Sequence, residues 1–311
     1  MRALTWPGMP AREPLAEAGR RLSCEVDVVE IASNEDLANE MSGGRFDIVF
    51  PSDYMVERLR GERAIVPLEP GALPLDLLED WAIDCAHDPG CRWSVPFAYG
   101  TTGVLAGPEC PSTGWDALFA IDGPVLMLDE VREVFGAALI ASGRDPNDLS
   151  PAALRLARRC LLGRMPLIAA FDSDDFVGPV ATGQVVAAHA WSGPASGAVR
   201  ANRNLRYFVP EEGAILWVTS AAIPADAPDP ELSTSLLREL MDPRLAAGTT
   251  ERNGYATPNR EARRLLPPAI DRDSSLFPDE ETLKRCVTLT AQGEAEARLS
   301  EEWKTLTGAV T

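Results

Sequence analysis

Eight residues of the 311-residue chain fall where side chains could surround a cation. Trp6, Tyr54, Trp191 and Trp217 each follow a predicted strand, Tyr255 sits in the loop RNGYATPN, and Asp53, Glu130 and Glu133 occupy the same kind of position. An aromatic face attracts a cation through its quadrupole, at roughly 0.5–2 kcal/mol per contact. Carboxylates add charge-assisted hydrogen bonds to an ammonium. Each residue also has an ordinary structural explanation. A strand-end Trp commonly packs on a core, and Asp129-Glu130-Val131-Arg132-Glu133 suits the first turn of a helix, whose positive end favours carboxylates. Their joint occurrence at strand ends is what suggests a pocket for an organic cation, because ligand sites in open α/β sheets lie beyond the carboxyl ends of the strands.

The elements that must position these residues alternate in period. RALTW, CEVDVVEI and FDIVFPS have strand character and are separated by helical patterns over 12–22 and from Asn34, the expected N-cap, to Met41. YMVERLRGE is a further helix, and this order predicts a parallel α/β sheet. A Pro- and Gly-rich loop over 67–92 precedes WSVPFAYGTTGVLAG, which reads as strand, loop, strand. The alternation resumes with the strands GPVLMLD, PLIAAF and QVVAAHAW, the helix EVREVFGAALIAS, and a helix within DPNDLSPAALRLARRCLLG capped by Asp148 or Ser150. AILWVTSAAIP is a buried strand and turn carrying Trp217 and Thr219. Helices then dominate: DPELSTSLLRELM, PNREARRLL and a last one near 294–306. The regions near residues 100 and 219 are candidate hinges where the chain crosses between two α/β lobes.

Composition narrows the function. The net charge of −18, with Lys284 and Lys304 the only lysines, argues against a nucleic-acid partner, which demands a basic surface. No apolar run approaches the ~18 residues of a membrane span. MRALTWPGMP has no apolar core of a signal peptide, so a cytosolic protein and an exported one that has lost its signal both fit. No CxxC or HExxH spacing supports a metal site, and no cofactor is expected. Of six cysteines, Cys24 and Cys160 read as small buried hydrophobes. Cys85 and Cys91 flank AHDPG closely enough to form a disulfide in an exported protein, and stay reduced otherwise.

The stretches FDIVFPSDYMVERL, VPFAYGTTGV, LDEVREVFGAAL, AAFDSDDFVGPVATGQVVAAHAWSGPA, EEGAILWVTSAAIPADA and ERNGYATPNREARRLL resemble, in order, segments of the spermidine/putrescine-binding proteins of bacterial ABC importers, from about Ala3 to Pro278. The resemblance implies an α/β, two-lobed periplasmic-binding-protein fold of type II, each lobe a central sheet flanked by helices, with two crossover hinge strands. It places one lobe at 1–100 plus 219–263, the other at 101–218 plus 264–311, and the ligand between them. By position, Trp6, Tyr54, Trp191, Trp217 and Tyr255 become the aromatic cage, Glu130 and Glu133 the amine-binding carboxylates, and Ser52 an added hydroxyl. The implied protein is a periplasmic or cell-surface monomer, not an enzyme, that binds a polyamine or related small cation and delivers it to permease and ATPase subunits.

Departures from the family pattern bear on the ligand. Glu130 stands for an Asp, and Pro7-Gly8-Met9 replaces polar residues. Thr219 stands where polyamine binders carry an Asp, and Leu289 where they carry a Gln, while Asp53 occupies a usually neutral position and offers partial compensation. The expected ligand is therefore cationic at the Glu130/Glu133 end and less charged or shorter at the other, since burying an unpaired ammonium is costly. Two other readings stand beside this one. The first is an enzyme recruited from the fold with a thiol nucleophile, for which His87 and His189 are the only bases of their type; His189, on the strand face of Trp191, is expected as a partly buried, hydrogen-bonded ring. The second is a cytosolic sensor or partner-docking protein that has lost transport.

Overall fold

A computed structural model describes residues 1–308. Nine strands are β1 (Arg2–Thr5), β2 (Asp27–Glu30), β3 (Ile48–Val49), β4 (Ser94–Ala106), β5 (Val125–Met127), β6 (Ile168–Phe171), β7 (Ala187–Trp191), β8 (Arg206–Phe208) and β9 (Ile215–Ala222). The chain divides into two compact units, Met1–Tyr99 with Trp217–Arg272, and Gly100–Leu216 with Asp273–Thr311. It leaves the first unit within β4 and returns within β9. The last crossing, out of the first unit, falls at 272/273 rather than at the expected 263/264: Arg260 pairs with Asp80 (2.7 Å) elsewhere in the first unit, and Arg263 with Asp271 (3.0 Å) ties the residues that follow to the same segment.

In the first unit β1 lies between β2 and β3, parallel to both, and β3 pairs antiparallel with β9 through Val49 and Ala222. In the second unit β5 lies between β6 and β7, parallel to both, while β4 runs antiparallel to β7 and β8. The sheets are thus mixed, not parallel as the strand–helix alternation suggests. The exceptions are β4 and β9, which enter each unit's sheet by crossing from the other unit and not through a right-handed crossover helix. A second correction concerns residues 93–107. β4 is one continuous, fully buried strand of 13 residues and contains no loop. Thr101 and Thr102 are β-branched and suit a pleated backbone, and the ladder with β7 holds the strand extended from Thr102↔Trp191 to Ala106↔Ala187. Gly103 is required there, because a Cβ would run into the Phe208 carbonyl oxygen of β8.

Helix starts follow capping chemistry. Ser150 accepts from Ala153 N (3.3 Å) ahead of Pro151, and Asp229 accepts from Leu232 N (3.0 Å) ahead of Pro230. Ser33 caps Asn34–Gly43 by accepting from Asp36 N at 3.0 Å, which displaces Asn34 from its expected capping role. Helices at Ser192–Ala201 and Pro243–Asn253 were not evident from periodicity, their patterns being diluted by Gly, Ala, Ser and Thr.

Each unit has its own core. Phe50 and Phe97 meet edge to face at 5.3 Å in the first, among Leu15, Ile48, Leu236 and Leu240. Leu105, Leu126, Phe176 and Val180 centre the second. Leu289 is buried in that unit, whereas Cys24 and Cys160 are only half-buried, against expectation, because one lies in a loop before β2 and the other on the flank of Pro151–Arg164. Among the described residues no helix is long and apolar enough to cross a membrane.

His189 also departs from expectation. It is wholly buried against Trp115 (5.6 Å between rings), and neither ring nitrogen has a hydrogen-bond partner. Burial pushes its pKa down to about 3, so the ring stays neutral in the fold, while the unfolded chain binds a proton below about 6.5. Its contribution therefore lowers stability progressively as pH falls from about 6.5 towards 3. Replacing it by Leu is expected to raise the unfolding free energy at pH 7 by about 1–2 kcal/mol, and to flatten the loss of stability between pH 7 and 4, in urea titrations.

Candidate functional site

The candidate residues divide between the units. Trp6, Ser52, Asp53, Tyr54, Trp217, Thr219 and Tyr255 belong to the first, and Glu130, Glu133 and Trp191 to the second.

In the first unit, β1 ends in the turn Trp6-Pro7-Gly8-Met9, closed by Met9 N donating to Trp6 O at 3.0 Å. Gly8 takes a left-handed φ of 71° that a side chain would disfavour. The Trp6 indole N–H donates to the Phe50 carbonyl (2.8 Å), which fixes the ring. Where β3 ends, Ser52 bridges Thr219 of β9, and Ser220 N donates to Pro51 O (2.9 Å). Asn34, freed from capping, organises this corner. Its amide donates to Ser52 Oγ (2.7 Å) and Tyr54 Oη (3.0 Å), and its carbonyl accepts from Ser52 N (3.3 Å). Asn34 was missed as a site residue because its sequence context, Ser33-Asn34-Glu35-Asp36, is that of a helix start.

Trp217 and Tyr255 meet edge to face at 4.9 Å, and with Trp6 they pack on one hydrophobic cluster. The Trp217 indole N–H is buried and has no hydrogen-bond partner. Thr219 is 4% exposed. Asp53 is 1% exposed; it opens the helix Asp53–Gly61, and its carboxylate accepts from Tyr54 N at 2.8 Å.

In the second unit, Glu130 is the N-cap residue of Val131–Ala141 and Glu133 lies in that helix's first turn, where the positive helix end favours a carboxylate. Glu133 is nonetheless 7% exposed, and one carboxylate oxygen is buried without a partner. Thr102 of β4 and Trp191 of β7, directly paired across the ladder, both adjoin it. Trp191 stands edge-on to Phe176 at 6.2 Å. Behind them, Tyr207 Oη donates to Thr101 O (2.8 Å). Arg132 is beside Glu133 but is engaged with Asn147 Oδ1 and Thr290 O, both at 3.2 Å. Desolvation dominates, and it raises the Glu133 pKa to about 7, against the opposing influences of Thr102, Arg132 and Trp191. Thr102 was not singled out by the sequence because TTG reads as a loop.

Because its folded pKa lies above the unfolded value of 4.5, Glu133 contributes stability in its protonated form that is full below about 4.5 and lost as pH rises through about 7. In ligand-free protein, Glu133→Gln is expected to be more stable than the parent by roughly 1–3 kcal/mol at pH 8, and by little at pH 4.5, in denaturant titrations at the two pH values.

The model of the bacterial extracellular solute-binding protein family matches residues 24–278. The spermidine/putrescine-binding periplasmic protein of Salmonella typhimurium is 33% identical over 270 residues, covering 85% of this chain and 78% of that protein. A putrescine/cadaverine-binding protein of Pseudomonas aeruginosa is 27% identical, covering 96% and 90%. A solved spermidine/putrescine ABC transporter structure from Listeria monocytogenes superposes with a TM-score of 0.92 at 27% identity, covering 99% of this chain and 98% of its own. The fold is the two-lobed type II periplasmic-binding-protein fold. The chain belongs to the bacterial extracellular solute-binding proteins.

Proposed function

We propose that this solute-binding protein serves an ABC importer by capturing a small organic amine of the polyamine class. The observation that carries the reading is the desolvated Glu133 carboxylate beside the Trp191 ring. A buried carboxylate without a matching cation is unstable, and an ammonium would supply the missing charge and hydrogen bonds. Glu130 adds a second carboxylate at the same helix start. Trp6, Trp217 and Tyr255 with Ser52, Tyr54 and Thr219 form a second group of proposed ligand contacts, in the first unit, and Asp53 acts through the helix it opens. In this reading the two units are the lobes and β4 and β9 the hinge strands, and ligand binding shifts the protein towards its closed form. Ligand shifts the closed population by its differential affinity alone. The closed monomer would then be recognised by permease subunits at the periplasmic or outer cell surface.

Binding is favoured over thiol catalysis by the state of the cysteines. Burial raises the Cys85 and Cys91 thiols to about 12 and Cys286 to about 11, the reverse of an activated nucleophile. His87 is pushed down to about 4 by burial, and its Nε2 is hydrogen-bonded with Ser220 Oγ at 3.2 Å.

Trp217→Ala and Glu133→Ala are each expected to weaken amine binding at least tenfold in calorimetric titrations with putrescine and spermidine, with the fold retained by circular dichroism. Unchanged affinity in both variants would show that these residues do not hold the ligand. Affinity of the parent protein is expected to rise between pH 6 and 8 as Glu133 ionises.

A further inference from the structure

We infer that the ligand end held by the first unit carries a neutral hydrogen-bond acceptor, an amide carbonyl or a hydroxyl, in place of a second ammonium. This rests on the amine-binding reading above and specifies the ligand within it. The indole N–H of Trp217 is buried and unpartnered. An indole N–H can only donate, as can an ammonium, so the two leave each other unsatisfied. An unpaired buried donor costs about 1–3 kcal/mol, and an acceptor on the ligand removes that cost.

The neighbouring groups agree. Trp6 N–H is committed to Phe50 O, and the Ser52 and Tyr54 hydroxyls both accept from Asn34, so Trp217 is the free indole donor of the group. Thr219, bridged to Ser52, supplies a hydroxyl and no charge. A carboxylate is the poorer match, because the group holds no Arg or Lys and the adjoining helix begins with the buried acid Asp53. Tyr255, pressed edge-on against Trp217, completes a largely apolar surround suited to a neutral polar group. The expected ligand class is therefore an amine at one end and an amide or alcohol at the other.

Calorimetric titration of the full chain with putrescine, spermidine, N-acetylputrescine, 4-aminobutanol and 4-aminobutanoate tests this. N-acetylputrescine or 4-aminobutanol is expected to bind at least tenfold more tightly than putrescine, and whichever does so identifies amide or hydroxyl as the acceptor. Trp217→Phe, which keeps a ring and removes the N–H, should narrow that preference at least fivefold. Thr219→Asp should reverse it in favour of putrescine. Tighter binding of putrescine, spermidine or 4-aminobutanoate than of both neutral-ended amines overturns the inference while leaving amine binding intact, as does a preference unmoved by Trp217→Phe. Absence of binding by every amine overturns the amine reading itself, and this inference with it.

Discussion

A carboxylate removed from water without a full set of partners is the constraint on which the second unit is organised. Glu133 sits in the first turn of Val131–Ala141, where the helix end lowers the cost of its charge, yet desolvation still outweighs every favourable contact around it. The direct pairing of Thr102 with Trp191 brings a hydroxyl and an indole to the acid. That register depends in turn on β4 running unbroken, and on Gly103 letting β8 approach. The neutral, wholly buried His189, two residues before Trp191 on β7, is a further unsatisfied polar group in this unit. Such local deficits are where a protein gives up stability for a site.

The first unit is organised differently, around committed hydrogen bonds. Asn34 ties the end of β3 to the helix Asp53–Gly61, and the Phe50 carbonyl locks Trp6, so the polar groups of this corner are held rigid before any ligand arrives. Preorganisation of this kind reduces the entropy lost on binding. The donor on Trp217 is not so committed. The two groups are therefore chemically unlike: one centres on a partly satisfied acid and the other on a free N–H donor among apolar rings.

Much of this was legible in the sequence, and the failures have physical causes. The strand ends carrying Trp6 and Trp191 follow from hydrophobic runs bounded by turn residues, and the family follows from six ordered motifs, whereas Trp217, expected after a strand, lies third in β9 because the strand runs on to Ala222. The crossings were visible only as interruptions. Gly100 with two threonines reads as a loop, whereas β4 runs unbroken through them and pairs with β7 from Thr102 onward. The mixed sheets could not come from local periodicity, because strand direction is set by where the chain returns from, which is information of long range. Asn34 was hidden by a rival role that its neighbour Ser33 fills. The lack of partners at His189 and Trp217 is a property of packing alone, and no spacing or composition encodes it.

A cation that completes Glu133 must displace the proton the acid holds near neutral pH. The most direct measurement is proton exchange on binding, from calorimetry at pH 7 in buffers of differing ionisation enthalpy. With a folded pKa of about 7, the free acid is about half protonated, so an ammonium that ionises it should release about half a proton per ligand. That release should vanish in Glu133→Gln. Binding of the amine with no proton release, or with the same release in the variant, would contradict the assignment of Glu133 to the ligand.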